Sequence, residues 1–254
     1  MPSSATLETA VALTASAGLA AGGWFYAALW PQSQIFGRTV VAGRDPRQIA
    51  LTYDDGPNPA ATPQLLEVLA RHNVRATFFL IGAFVRREPQ LARAIAAAGH
   101  SIGNHTMTHP WLAWQSAGRI QTELAGCNAA LEDTLGQPVT LFRPPHGARR
   151  PAVFRAAAAL HLSLVQWNVI AYDWQPTRAE TILARVQAGL QRNQRRVSAS
   201  NILLHDGGHT GLNQPRLATV EATDLFLASS DRNQTAFVTP EVWLQAESSV
   251  SPII

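Results

Sequence analysis

The 254-residue sequence contains no lysine, and all 20 of its basic residues are arginine. The arginines are scattered along the chain, apart from a short group at Arg192, Arg195 and Arg196 that is typical of a solvated helix end. A nucleic-acid-binding surface needs clustered positive charge, whereas this chain spreads a net charge of only +3. The sequence therefore argues against nucleic acid as a partner.

Cysteine and charge are also scarce. Cys127 is the single cysteine, so no internal disulfide can form, and its place in a helical pattern predicts a buried thiol. Charged residues make up 15% of the chain and hydrophobic residues 46%, without long polar tracts, which excludes a disordered protein. A chain of this length suits one large α/β domain.

An uncharged run of 22 residues, Thr9 to Trp30, lies near the N-terminus. It is long enough to span a bilayer. Residues 1–8 lack the positive charge of a secretory signal, which favours an uncleaved anchor over a cleaved peptide. Four aromatic residues gather at the end of the run, as in an interfacial belt: Trp24, Phe25, Tyr26 and Trp30. The alternative is a helix packed on the rest of the protein.

These features divide the chain into an N-terminal hydrophobic segment, residues 1–40, and a folded domain, residues 41–254. The nearest cations to the run, Arg38, Arg44 and Arg47, all lie on its C-terminal side. The positive-inside rule then favours a cytoplasmic domain, although the side of the membrane stays open.

From Gln48 onward, short apolar runs alternate with helical segments and give about seven strand–helix units. Repeated units of this kind imply a parallel sheet, and about seven in one domain imply a closed or nearly closed barrel. The first helix is expected to have Thr62 as N-cap and Pro63 at its first position. The segment "LSLVQWNV" is expected to form one strand.

Polar side chains follow the predicted strands where each strand ends. These residues are Asp54, Asp55, His105, Arg143, Asp173 and His205. In βα barrels the carboxyl ends of the strands meet on one face, which is where catalytic residues lie. Successive side chains on a strand point to opposite faces, so Asp54 and Asp55 are not expected to share one proton and must do different jobs. The alternative is that "DDGP" is only a strand-ending turn.

The segment "HTMTH" places His105 and His109 four residues apart. On one helical turn both imidazoles would face the same side and could hold one metal ion. A second such pair, His205 and His209, encloses two glycines that disfavour a helix, which predicts a loop and no rigid chelate. A carboxylate added to the first pair would leave open coordination positions, as in catalytic sites.

The other polar positions are ambiguous one by one. Arg143 precedes two stiffening prolines, so it is either a surface residue at a turn or a bidentate partner of a carboxylate. Asp173 and Trp174 form a common dipeptide, in which a tryptophan packed in the core is the default expectation. A single histidine at a strand end, such as His205, is more often structural than catalytic.

Five segments taken together, in order, carry a specific resemblance. They are "LTYDDGPNP", "GNHTMTHP", "FRPPHG", "AYDW" and "ILLHDG". They resemble the five motifs of the polysaccharide deacetylase family, the NodB-homology domain of carbohydrate esterase family 4, over about Gln48 to Trp243. The resemblance implies a distorted (β/α)7-8 barrel of the NodB-homology type, here preceded by an N-terminal hydrophobic helix. It also implies metal-dependent removal of acetyl groups, usually N-acetyl, from saccharides such as chitin or peptidoglycan.

The resemblance assigns the central chemistry to five residues. Asp55, His105 and His109 would hold one divalent metal ion, with zinc expected and cobalt or manganese as alternatives. Asp54 would be the general base, and His205 would be the general acid.

Further residues would support this chemistry. Arg143 would orient Asp54, and Asp173 would orient His205. The groups expected to meet the substrate are the backbone N–H of His146 and the side chains of Trp174 and Leu203. Trp111 and Trp114 could stack on sugar rings or pack in the core.

Two departures from the family pattern leave the substrate open. Ile170 stands where the family usually has an acidic residue, and His146 stands where it usually has tyrosine. Removal of O-acetyl or N-formyl groups is therefore an alternative, as is a catalytically silent carbohydrate-binding protein of the envelope. With the hydrophobic run, the expectation is a membrane-anchored protein of the bacterial cell envelope that acts on an N-acetylated saccharide.

Overall fold

The computed structural model describes residues 21–248. Eight strands in this part of the chain form one sheet. They are β1 (Gln48–Gly56), β2 (Thr77–Leu80), β3 (Ser101–Asn104), β4 (Leu141–Phe142), β5 (Ser163–Leu164), β6 (Val169–Ile170), β7 (Ser200–His205) and β8 (Ala236–Phe237).

Helices connect the strands and cover the sheet. They are α1 (Thr62–Arg71), α2 (Gly82–Arg87), α3 (Pro89–Ala97), α4 (Ala117–Leu135), α5 (Pro151–Ala159), α6 (Ala179–Arg195), α7 (Leu217–Ser229) and α8 (Pro240–Ser248). Short 3-10 turns lie at Leu112–Trp114 and Pro145–Gly147, and residues 21–29 are helical. Helices α2 and α8 were not predicted from the sequence.

All strand pairs are parallel, in the order β5-β4-β3-β2-β1-β7-β6, with β8 beside the start of β1. The sheet curls into a half-barrel, and among the described residues no ladder joins β5 to β6. This arrangement confirms the predicted distorted βα barrel. The barrel is open between β5 and β6, where the two strands are not paired within residues 21–248. Parallel strands bring all the carboxyl ends to one edge, where the candidate functional residues lie.

The longest strands, β1 and β7, are neighbours in the sheet, and both are buried along nearly their whole length. Ile49, Leu51 and Tyr53 of β1 face the main hydrophobic core. Helix α1 presents Leu65 and Leu69 to the same core, at the four-residue spacing of one helical face. The core therefore fixes β1, and with it the position of the residues at its carboxyl end.

The segment predicted as one strand, "LSLVQWNV", forms two. Strand β5 ends at Leu164, and β6 begins at Val169. Between them, the carbonyl oxygen of Gln166 accepts hydrogen bonds from Arg143 and Asn201 side chains, at 3.1 and 2.7 Å. The single-strand prediction is wrong because these side chains take the backbone groups that a continuous ladder would use.

The prediction of Thr62 as N-cap is also wrong. Helix α1 begins at Thr62 itself, and Ala61 is the N-cap without a side-chain hydrogen bond. The Thr62 hydroxyl instead accepts the backbone N–H of Asn58 at 2.9 Å and donates to the carboxylate of Asp206. A long-range partner thus replaces the local cap.

The predicted membrane run, residues 9–30, lies largely outside the described residues. In the part that is described, no helix combines the length and the hydropathy needed to cross a bilayer.

Residues just after the N-terminal helical segment are bound to the domain by Arg149. This side chain is fully buried, and its guanidinium donates to the carbonyl oxygens of Gly147, Trp30, Pro31 and Ser33. Its backbone N–H donates to Ala28 at 2.9 Å. Residues 28–33, assigned from the sequence to the N-terminal segment, are therefore tied to the loop that follows His146.

Replacing Arg149 with leucine is expected to lower the free energy of unfolding by about 3 kcal/mol, because the carbonyl oxygens lose their buried, charged donor. Urea denaturation measures this change. Arg155→Leu, at an exposed position of α5, serves as the control and is expected to stay within about 0.5 kcal/mol of wild type. Equal midpoints for the two variants would show that the Arg149 contacts do not stabilise the fold.

Candidate metal centre and active site

The candidate residues meet at the carboxyl edge of the sheet. Asp54 lies two residues before the end of β1, His205 ends the neighbouring strand β7, and the two are direct partners in register. His105 directly follows β3, and Arg143 directly follows β4. They lie at or beside a cavity of about 600 Å³. Parallel pairing therefore brings together residues that are far apart in the sequence.

Three side chains converge as a possible ligand set. Asp55 Oδ1 lies 3.4 Å from His105 Nε2 and 3.1 Å from His109 Nε2. All three residues are buried, and one ligand atom from each lies within 4.8 Å of the other two. This is the set that the sequence resemblance implies.

The protonation states of these groups suit a cation. His105 Nδ1 lies 2.7 Å from the carbonyl oxygen of Arg143, which can only accept, so Nδ1 carries the proton and the Nε2 lone pair faces the cavity. Burial lowers the pKa of His109 to about 2, which keeps its imidazole neutral.

The carboxylate completes this set. Burial alone would raise the pKa of Asp55, but interactions with His105 and His209 outweigh it and hold that pKa well below its ordinary value. Asp55 Oδ1 is buried, and no hydrogen-bond partner for it lies within residues 21–248. Two imidazoles, each with Nε2 toward Asp55, and a carboxylate whose pKa is held low fit a divalent metal ion.

The two histidines do not lie on a helical turn, so that prediction is wrong. The segment from His105 to His109 is a loop, with φ of 67° at Thr106 and 59° at His109. Asn104 Oδ1 accepts the backbone N–H of Thr106 at 2.8 Å, and Thr106 Oγ1 accepts that of His109 at 3.0 Å. The imidazoles converge because side chains hold the loop in this left-handed shape.

Asp54 and Asp55 face the same cavity, although strand alternation would separate them. The register of β1 against β2 shifts between Asp54 and Gly56, and Asp55 has a φ of 70°. This bulge turns the Asp55 side chain back toward the histidines. The expectation of opposite faces is therefore wrong.

Arg143 is fully buried and holds Asp54 through one nitrogen. Its NH1 donates to Asp54 Oδ1 and to Thr52 Oγ1, each at 2.8 Å. Its Nε and NH2 donate to the carbonyl oxygens of Val165 and Gln166, so the contact with Asp54 is not the bidentate one considered from the sequence. Asp54 Oδ2 remains directed toward the site, 3.7 Å from His105 Nε2.

His205 and Asp173 form a second charged pair. Asp173 Oδ1 lies 2.8 Å from His205 Nδ1, and Asp173 Oδ2 accepts the His205 backbone N–H and the Thr219 hydroxyl at 2.8 and 2.9 Å. Burial by itself would lower the pKa of His205, but the Asp173 carboxylate raises it to about 9. His205 is therefore a cation at neutral pH.

Apolar and aromatic side chains line the rest of the cavity. Leu203 is buried in β7, and Trp174 meets His205 edge-on with ring centroids 5.1 Å apart. Ile170 also lines the cavity. His146 lies in the 3-10 turn Pro145–Gly147 with a φ of 57°, and its imidazole stacks on Trp111.

Sequence reasoning missed His209 as a neighbour of the metal centre. The prediction that His205 and His209 enclose a loop is confirmed, but the loop folds back over the site. The His209 ring stacks on His109 at 4.5 Å, and its Nδ1 lies 3.8 Å from Asp55 Oδ2. Thr219, which binds Asp173, was missed as well, because a threonine inside a helix gives no local signal.

A model of the polysaccharide deacetylase family matches residues 42–165 of this chain. A chitooligosaccharide deacetylase from Bradyrhizobium sp. (strain ANU 289) is 36% identical over 162 residues, which are 63% of this chain and 71% of that protein. The chain therefore belongs to the polysaccharide deacetylase family, as the sequence resemblance indicated.

Two solved structures extend the similarity to most of the chain. One is the Bc1960 peptidoglycan N-acetylglucosamine deacetylase, with a TM-score of 0.72, 30% identity, and coverage of 82% of this chain and 92% of that one. The other is a family 4 acetyl xylan esterase from Clostridium thermocellum in complex with a cobalt ion, with a TM-score of 0.67, 30% identity, and coverage of 79% and 92%.

Asp173→Asn removes the charge that raises the pKa of His205, so that pKa is expected to fall from about 9 toward the ordinary value near 6.5. A raised pKa stabilises the folded state fully below about pH 6.5, and this contribution is lost as the pH rises through about 9. NMR titration of the histidine rings measures the shift.

Asp224→Asn is the matched control, because Asp224 forms the more exposed pair with His72 at 2.7 Å. It is expected to leave the titration of His205 unchanged. An unchanged His205 pKa in Asp173→Asn would contradict the assignment of the shift to Asp173.

Proposed function

We propose that this protein is a metal-dependent hydrolase that removes N-acetyl groups from amino-sugar saccharides. One observation carries the proposal: a three-residue ligand set shares one cavity with an aspartate and a histidine, each of which is held by a buried partner. These groups are Asp55, His105 and His109, then Asp54 with Arg143, then His205 with Asp173.

Asp55, His105 and His109 would hold one divalent ion. Zinc is the proposed occupant, with cobalt or manganese as alternatives, because imidazole and carboxylate ligands suit these ions. Such an ion, when bound, polarises the acetyl carbonyl and lowers the pKa of a water molecule.

Asp54 acts as the general base in this proposal. Arg143 holds Oδ1 and leaves Oδ2 directed toward the cavity, where it can accept the proton of the attacking water. General-base assistance of this kind contributes about 10² to 10⁴ in rate. Asp55 has a different task, because its own oxygens face the histidines.

His205 acts as the general acid. Asp173 binds Nδ1, so the proton on Nε2 is the one available to the cavity. As the carbon–nitrogen bond breaks, His205 gives this proton to the leaving amine, which is a poor leaving group without it. The raised pKa keeps His205 protonated at neutral pH.

The remaining groups are proposed to receive the acetyl group. Trp174 and Leu203 line the cavity next to His205 and would form the acetyl pocket. The backbone N–H of His146 would donate to the oxyanion, from a turn whose imidazole lies 4.7 Å from that of His109.

Acetate release from chitooligosaccharides, peptidoglycan and acetylated xylan, measured together with metal content, tests the proposal. Asp54→Asn is expected to keep the metal and to lose about 10² to 10⁴ in turnover, since it removes the base and not a ligand. Asp55→Ala is expected to lose the metal, and Asp224→Asn to behave as wild type. Full activity of Asp54→Asn would refute this division of labour.

Hydrolysis of O-acetyl esters is a second candidate, favoured by the similarity to an acetyl xylan esterase and by the apolar Ile170 in the cavity. Faster acetate release from acetylated xylan than from chitooligosaccharides would support it. If the metal-loaded protein releases no acetate from any of the three substrates, a silent carbohydrate-binding role replaces both enzymatic readings.

We also propose that residues 9–30 attach the protein to a bacterial membrane, so that it acts at the cell envelope. The uncharged run supports this, and so do Phe25, Tyr26 and Trp30, whose side chains are about half exposed. Aromatic residues with this exposure suit the interface between lipid and water.

Deletion of residues 1–20 removes most of the uncharged run and keeps the residues bound by Arg149. Flotation of liposomes made from bacterial lipids is expected to carry the full chain and not the deleted one, because the apolar length falls below that of a bilayer. Equal flotation of the two proteins would contradict attachment through this run.

A further inference from the structure

An aromatic stack lies beside the candidate metal centre. The rings of Trp111 and His146 are nearly parallel, at 11°, with centroids 3.9 Å apart. His146 also meets two histidine rings edge-on: His109, a proposed metal ligand, at 4.7 Å, and His209 at 5.6 Å. Trp111 therefore lies one aromatic ring beyond the metal centre, and it keeps 46% of its surface exposed.

Both rings of the stack line the catalytic cavity. A buried aromatic pair would be ordinary core packing, but a half-exposed indole at the rim of a cavity presents a flat apolar surface to whatever enters it. His146 backs this surface from a turn in which its φ is 57°. His146 stands where the family usually has tyrosine, so a flat ring is kept at this position. The imidazole of His146 packs on the indole of Trp111.

Two more exposed aromatic residues line the cavity on its other side. Tyr172 and Trp174 follow β6, are 42% and 40% exposed, and contact each other at 5.3 Å. In the sheet order, β3 and β4 lie on one side of β1, and β7 and β6 lie on the other. The reacting centre at the end of β1 is therefore flanked by aromatic surfaces on both sides.

This arrangement suits a chain of sugars better than a single sugar. Pyranose rings have apolar faces of C–H groups, which pack on aromatic rings as other apolar groups do. A monosaccharide held at the reacting centre would leave at least one of the two flanking surfaces uncovered.

We propose that Trp111, backed by His146, binds the sugar ring next to the one that loses its acetyl group, and that this chain thereby sets how strongly longer saccharides are preferred. This inference rests on the proposed deacetylase function and adds a specificity residue to it. Trp111 binds substrate and takes no part in proton transfer.

Trp114 provides a matched control. It is 59% exposed, three residues away, and of the same type, but it packs against Trp24 and Phe25, with ring centroids 5.0 and 6.1 Å away. It is not among the residues that line the cavity. Loss of an exposed indole can therefore be separated from loss of the cavity surface.

The experiment compares kcat/KM for acetate release from tetra-N-acetylchitotetraose and from N-acetylglucosamine. Trp111→Ala is expected to lower the preference for the tetramer about tenfold, mainly through KM, whereas Trp114→Ala keeps the wild-type preference. His146→Ala should reduce the preference in the same direction, and His146→Phe should restore it because the flat backing returns. Metal content and melting temperature of each variant exclude loss of the fold.

The outcomes separate this inference from the proposed function. If wild type releases acetate and Trp111→Ala keeps its preference, the sugar subsite is refuted and the deacetylase function stands. If wild type releases no acetate, the proposed function fails, and calorimetric binding of tetra-N-acetylchitotetraose to the Asp54→Asn protein decides the subsite. Trp111→Ala in that background is expected to weaken binding about tenfold, and an unchanged Kd refutes the subsite.

Discussion

The buried Arg143 is the constraint on which the site depends. Its guanidinium fixes Asp54 and binds the carbonyl oxygens of the segment after β5, while its own carbonyl oxygen fixes the tautomer of His105. A guanidinium with no exposed surface is stable only when its donors are satisfied, and here Thr52 and the face of Phe79, 4.2 Å away, complete its surroundings. One residue thus connects the proposed base to the proposed metal ligands.

The site is built from unusual backbone as well as from side chains. Four residues of the site have positive φ: Asp55, Thr106, His109 and His146. This conformation costs about 1 to 3 kcal/mol for each residue that is not glycine. The surrounding sheet and the hydrogen bonds of Asn104 and Thr106 hold these residues in place. Because the backbone is held in this shape, the imidazoles and the carboxylate already converge, and they would lose little conformational entropy on binding a cation. The ligand set is therefore preorganised.

The two charged pairs show how similar residues obtain different roles from their surroundings. Asp54 faces a permanently charged guanidinium, whereas Asp173 faces an imidazole whose pKa it raises to about 9. Asp55, next to Asp54 in the chain, is turned by a bulge toward His105 and His109. Two carboxylates in the cavity and a third behind His205 are compatible because each has its own partner, which limits their mutual repulsion.

The sequence by itself determined the alternation of strands and helices, because hydrophobic periodicity is a local property. That alternation implies a parallel sheet. The carboxyl edge of the sheet then brings together Asp54, His105, Arg143 and His205. The order of the sequence motifs also indicated the family. Only the tertiary structure decided that a bulge, and not strand alternation, orients Asp55. It also decided that the two metal-site histidines converge through a loop and not a helical turn. Finally, it brought His209, Thr219 and the Trp111–His146 stack to the site. These features arise from contacts between residues far apart in the chain, and local patterns carry no record of such contacts.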